Sequence, residues 1–168
     1  RNHPPDGIVG PHREKEGSYY TIKEIWSPVY INPQALKAGF DGKIPLENPY
    51  SFTNLNQCTF KWKLVKFPSA TAKTTTALVS ATGTLKPLNL KPAEKGMLSL
   101  PLPATWAKND ALYLSAYGPD KKELFTWSWA IAAPAAFAPK INSVKAKPNI
   151  KLTQTDASLS INCDGNHY

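Results

Sequence analysis

At 168 residues the chain can hold one ordinary domain with extensions, and it is too short for a complete (β/α)8 barrel of about 250 residues. Apolar residues at 42% and aromatics at 11% supply a packed core, while sixteen prolines against nine glycines favour stiff turns and strand ends over a helical bundle. The net charge of +8 would suit a polyanion, but the lysines are scattered singly and the only arginines are Arg1 and Arg13, so the charge reads as solvated strand faces and protected edges and excludes a nucleic-acid partner.

In chain order, residues Ser18 to Trp26 are expected to form a short helix, with Ser18 as its cap and Tyr19, Ile22, Ile25 and Trp26 on one side at three- and four-residue spacings. Pro28 stops it. From there the pattern turns to strands. Short candidates are Val29–Ile31, Ile44–Phe52 (edge-like, because Pro45 and Pro49 interrupt it), Ala77–Leu85 and Gly96–Leu100. Three stronger ones show the two-residue period. Phe60, Trp62 and Leu64 alternate with Lys61 and Lys63; Leu112, Leu114 and Ala116 alternate with Tyr113, Ser115 and Tyr117; and Phe125, Trp127, Trp129 and Ile131 alternate with Thr126, Ser128 and Ala130. Turns follow from Asp41-Gly42, Asn54–Gln57, Pro68–Thr71, Lys91-Pro92 and Gly118-Pro119-Asp120. About seven short strands in a hundred residues is the count of an immunoglobulin-like sandwich. The fold class predicted is therefore all-β, an immunoglobulin-like β-sandwich with a short N-terminal helix and a C-terminal strand extension. Ala132–Pro148, rich in Ala, Pro and Lys, reads as a linker, and Ile150–Asn162, with Leu159 and Ile161 alternating, as an orphan strand or hairpin that docks on the sandwich or on a neighbouring copy.

Little in the chain points to chemistry. A retaining glycosidase needs two carboxyl groups about 5–5.5 Å apart, and the twelve acids are dispersed; Glu14 and Glu16 read as a solvated loop. His3, His12 and His167 lie in terminal extensions, which offer no packed frame for a triad. Cys58 and Cys163 show no metal-ligand spacing and read as reduced thiols; the alternative, a disulfide, would add about 4–5 kcal/mol through its long loop. No metal and no cofactor is expected. No apolar run approaches the roughly 20 residues of a membrane helix, so no membrane partner is expected, and no leader-like stretch is present. Of the tryptophans, Trp62, Trp127 and Trp129 belong to core rows and Trp26 to the helix face, whereas Trp106 follows a polar connection. With Tyr113 and Tyr117 on the outer row, Trp106 is the candidate ligand platform, since sugar rings stack on exposed aromatic planes.

The stretch Asp6, Gly7, Ile8, Val9, Arg13, Tyr19, Tyr20, Ile22, Lys23, Trp26, Pro28, Val29 resembles the segment in glycoside hydrolase family 2, the β-galactosidase family, where the catalytic barrel hands over to a β-sandwich. It departs from that pattern at His12, Lys15 and Gly17. Asn48, Tyr50, Phe52, Thr53, Asn54 and Leu55, followed by Trp62, Gly83 to Leu85 and Leu100 to Pro103, resemble the family's fourth, non-catalytic domain. The resemblance implies a barrel remnant at 1–27, the sandwich at 28–138, and a linker with the first strand of a following β domain at 139–168. It also implies that the chain lacks the catalytic acid, since it contains no Asn-Glu dipeptide, and that Asp6, near a cation position of the family, serves as a turn residue. The expected role is architectural, with the other domains of a parent enzyme as partners. A homo-oligomer and a carbohydrate partner are further options, the alternative function being a carbohydrate-binding module. A bacterial periplasmic or secreted parent is slightly favoured.

Overall fold

The alternation of apolar and polar residues from Thr59 to Lys66 forces one row inward, and the structure, a computed structural model describing residues 7–32, 36, 39–69, 72–133, 135, 150–163 and 166–167, builds its core on that row. The chain divides into two compact units, Arg1–Ala133 and Pro134–Tyr168.

In the first unit, helix α1 (Gly17–Ile25) precedes strands β1 (Lys43–Glu47), β2 (Thr59–Lys66), β3 (Leu78–Thr84), β4 (Lys95–Ser99), β5 (Ala111–Tyr117) and β6 (Glu123–Ala130). One sheet has the order β3-β2-β5-β6, and the other pairs β1 with β4, every pairing being antiparallel. Phe60, Trp62 and Leu64 of β2, Leu112, Leu114 and Ala116 of β5, and Trp127 and Trp129 of β6 meet Ile44, Leu46 and Leu98 of the smaller sheet in one buried cluster. The predicted all-β sandwich is what forms, and the three core tryptophans are where the alternation puts them.

Several elements differ from expectation. The strand foreseen at Val29–Ile31 is reduced to a single bridge, Tyr30 to Glu47, between prolines at 28 and 33 that remove donors from any longer ladder. Glu47 exchanges both backbone hydrogen bonds with Tyr30 (3.0 and 2.9 Å), so β1 lies between Tyr30 and β4. Pro45, two residues earlier, directs its missing N–H away from β4, which is why the strand tolerates it. Strand β1 ends at Glu47 and does not run on to Phe52, which is 96% exposed. The cause is Asn48. Fully buried, it donates through Nδ2 to the carbonyls of Thr53 and Leu90 (both 2.9 Å) and accepts through Oδ1 from the Tyr50 N–H (3.1 Å). Its own backbone bonds Glu94 and Ala93, so one residue clips the 48–53 turn to the 90–94 turn. Asn54 continues the clip, its Oδ1 accepting from Asn56 and Leu90 N–H groups and its Nδ2 donating to Asn89.

Helix α1 begins at Gly17, one residue before the predicted cap. Glu16 occupies the cap position without a side-chain bond, and the Ser18 hydroxyl instead donates to the Gly7 carbonyl (3.1 Å), tying the preceding loop to the helix. No residue of α1 is buried; Tyr19 and Ile22 are half-covered, but Trp26 stands 75% exposed beyond the last turn. The apolar side of the helix is therefore only partly covered within the chain. The helix is held to β6 by Lys23, whose ammonium lies 2.9 Å from a Glu123 carboxylate oxygen.

Lys23 holds the Glu123 carboxyl below its ordinary value of 4.5. A lowered folded pKa means that the stabilisation is complete above 4.5 and is lost as the pH falls through the lowered value. Because both side chains are partly exposed, the tether is worth about 0.2–1 kcal/mol. Lys23→Ala is expected to speed amide exchange of α1 at neutral pH and to have almost no effect well below 4.5; equal effects at both ends would contradict the tether.

In the second unit, β7 (Ile150–Gln154), β8 (Leu159–Cys163) and β9 (Asn166–His167) form an antiparallel sheet of order β7-β8-β9. The segment 150–162, expected as an orphan strand or hairpin, forms the β7–β8 hairpin, to which β9 adds a short third strand. Register places Ile150 opposite Cys163 and Leu152 opposite Ile161, so the apolar residues of β7 and β8 share one face. Of the linker expected at 132–148, only Ala132, Ala133 and Ala135 fall among the described residues, and Asp6 and His3 lie outside them.

Candidate functional site

The three residues expected to form a ligand platform fall in two places. Tyr113 and Tyr117 emerge on the outer face of the larger sheet, two positions apart from Ser115, and both are half-buried. Lysine heads cover them: Lys63 lies 5.0 Å from the centroid of Tyr113, its register partner, and Lys61 lies 5.2 Å from that of Tyr117. Trp106, equally half-buried, lies elsewhere, packed against the core of the sandwich. It opens a 3-10 turn (Trp106–Lys108) with its N–H on the Pro103 carbonyl (2.9 Å), and its ring meets Phe40 edge-on at 5.6 Å. Asn109, buried, fixes that turn by donating to the Trp106 carbonyl (2.9 Å) while accepting from the Ser80 hydroxyl.

The Trp106 indole walls a cleft of about 260 Å³ with Phe40, Asp41, Gly42 and Leu102. Gly42 is needed there. Its φ is +82°, and a Cβ would stand 2.7 Å from the Leu100 carbonyl oxygen that follows β4. Asp41 accepts the Lys43 N–H at 3.1 Å, which lowers its pKa.

A larger cleft, about 440 Å³, lies between the end of α1 and the turn after β1. Trp26, Ser27, Tyr30, Glu47, Tyr50 and Ser51 line it. Sequence reasoning placed Trp26 on the covered helix side; the available signal was Pro28, which puts Trp26 at the helix end, where its N–H still reaches Ile22 (2.9 Å) but its ring is released. Tyr30 and Glu47 are bridge partners, so their side chains leave the sheet on the same face.

Glu14 is exposed and accepts the His12 N–H (2.9 Å), as a turn acid does. A general acid needs a raised pKa, and the two acids with displaced values, Asp41 and Glu123, are both lowered by donors. Among the described residues no group of three or more His, Cys, Asp or Glu could hold a metal ion, and no helix is long and apolar enough to cross a membrane.

Both cysteines are free thiols. Cys58 is buried in the sandwich, and burial pushes its thiol pKa up, with the Tyr50 hydroxyl opposing the shift. Cys163 is half-buried in the second unit. A chromogenic disulfide reagent is expected to modify Cys163 in the native chain and Cys58 only after denaturant is added; equal native rates would contradict the buried placement.

No family model matches the chain, and no curated protein matches it. Among solved structures, the chain is similar to the exo-chitosanase of Amycolatopsis orientalis in complex with PNP-beta-D-glucosamine, at 13% identity and a TM-score of 0.43, over 94% of this chain and 20% of that one. The chain thus spans about a fifth of the length of that protein, and at this similarity nothing about function transfers.

Proposed function

We propose that the chain is a non-catalytic β-sandwich module of a β-galactosidase-like glycoside hydrolase of family 2, joining its catalytic barrel to the domain that follows. The observation that carries this reading is the work done by the motif residues themselves. Asn48 and Asn54, which with Tyr50, Phe52, Thr53 and Leu55 carry the resemblance to the family's fourth domain, spend their side chains on backbone groups and on one another's turns. Leu55 is fully buried. Asn48, Asn54 and Leu55 thus serve the frame, while Phe52 of the same motif stays exposed.

The flanks support a joining role. Ile8, Val9 and Tyr20 stay exposed along the segment that resembles the end of a barrel, leaving apolar surface for a neighbouring domain to cover. The second unit, a three-stranded sheet with one apolar face, has the character of a domain's opening strands. Sequencing the reading frame on both sides of Arg1 and Tyr168 tests the proposal: an upstream (β/α)8 barrel bearing an Asn-Glu acid supports it. A frame that opens at Arg1 and closes at Tyr168, or one encoding an unrelated upstream domain, overturns it.

A further inference from the structure

The cleft at the end of α1 carries groups that an architectural frame does not use. Trp26 is 75% and Tyr30 52% exposed, so two aromatic faces stand in water on its walls, with Tyr50 half-buried beside them. Glu47 and Ser51 supply polar groups to the same lining. The bridge that pairs Tyr30 with Glu47 fixes the spacing of the two backbone positions from which ring and carboxylate spring, because both backbone hydrogen bonds of that pair are made. The volume, about 440 Å³, falls in the small-ligand range of about 300–1,000 Å³.

The lining chooses among ligands. Glu47 lies 3.4 Å from the Lys95 ammonium, so the wall is charge-balanced and favours neither a polyanion nor a cation. An apolar partner would desolvate that pair without replacing its hydrogen bonds to water. What remains is a neutral ligand with an apolar face and several hydroxyls. A pyranose ring has that shape: its axial C–H groups suit an aromatic plane, and its equatorial hydroxyls donate to a carboxylate and exchange bonds with a serine.

We infer that this cleft binds a neutral pyranoside, with Trp26 and Tyr30 as the stacking surfaces and Glu47 as the hydroxyl acceptor. The site is distinct from Trp106, Tyr113 and Tyr117. It goes beyond the architectural role and does not depend on it, since a frame module can carry such a site or lack one.

Isothermal titration calorimetry of the full chain with cellohexaose and β-1,4-galactohexaose at millimolar concentration, with hexagalacturonate as the charged counterpart, tests the site. At least one neutral hexamer is expected to bind, with hexagalacturonate weaker. Trp26→Ala should weaken binding about tenfold or more, the loss of roughly one aromatic stack, and Glu47→Gln severalfold, while Trp106→Ala leaves it unchanged. Trp26 is exposed, so its variant should melt as the parent does, and a circular dichroism melt checks this. No heat with either neutral hexamer would overturn the inference and leave the architectural reading standing. Binding that survives Trp26→Ala, falls with Trp106→Ala, or is strongest for hexagalacturonate would also overturn it.

Discussion

Asn48→Asp is expected to be the most damaging single-atom exchange in the sandwich, lowering stability by about 3–5 kcal/mol and the melting temperature by roughly 10 °C or more. The native Nδ2 donates to two carbonyls at 2.9 Å, those of Thr53 and Leu90, in a fully buried position. An aspartate would direct a carboxylate oxygen at those same carbonyls, where three acceptors meet with no donor. Asn48→Ala leaves two carbonyls and the Tyr50 N–H without partners, each costing about 1–3 kcal/mol where water cannot reach. The aspartate variant also carries a pH signature. Its folded pKa would be raised above the unfolded value near 3.9, so its deficit should shrink as the pH falls from that raised value towards about 3.9, where the folded carboxyl regains a donor, and should change no further below it. Chemical denaturation across pH checks both effects, with Asn54→Asp as a milder, partly exposed comparison. A variant at position 48 that melts with the parent would show that the clip does not hold the two turns.

Gly83→Val should be nearly as costly, for a steric reason. Gly83 on β3 is the register partner of Trp62 on β2, and a Cβ at 83 would stand 2.5 Å from the indole Nε1, 2.6 Å from Cε2 and 2.8 Å from Cζ2. The ring is 5% exposed and packed in the core, so it cannot swing aside into solvent. Overpacking of this kind costs about 1–3 kcal/mol for a methyl, and Val should reach the top of that range. The buried Nε1 has no hydrogen-bond partner. Trp62→Phe removes that orphan donor and some of the ring, so Gly83→Ala should be less harmful on a Trp62→Phe background than on the parent. A double-mutant cycle with a coupling of about 1 kcal/mol or more supports the contact; additive effects would contradict it.

The residues involved show what a sequence reveals and what it conceals. Strands β2, β5 and β6 were legible because a strand with one buried face writes a two-residue period into its own composition, and Trp62, Trp127 and Trp129 could be assigned to the core from that period alone. The linear pattern carries no equivalent mark for pairings made at a distance. That Gly83 must be small depends on Trp62 opposite it, and that β1 must stop at Glu47 depends on carbonyls at 53 and 90 reached by Asn48. The Lys23–Glu123 pair spans a separation of 100 residues. Helix α1 was found, but its cap was misplaced because Ser18 had a better use, a bond to Gly7 in the incoming loop. The ligand platform divides for a similar reason. Tyr113 and Tyr117 follow the outer row as predicted, but Trp106, preceded by a polar connection that suggested exposure, finds Phe40 some 66 residues upstream and packs against it. Trp26 shows the converse, an aromatic at helical spacing that loses its cover because the helix ends beneath it.

A sandwich that serves as a frame turns over no glycoside, and initial rates on a panel of nitrophenyl glycosides, galactoside, glucuronide and mannoside among them, test the proposed role most directly. The chain alone should give rates equal to the buffer blank for every member of the panel across the acid-to-neutral range. Turnover that persists through repurification and disappears when one carboxylate of this chain is replaced by its amide would contradict the account.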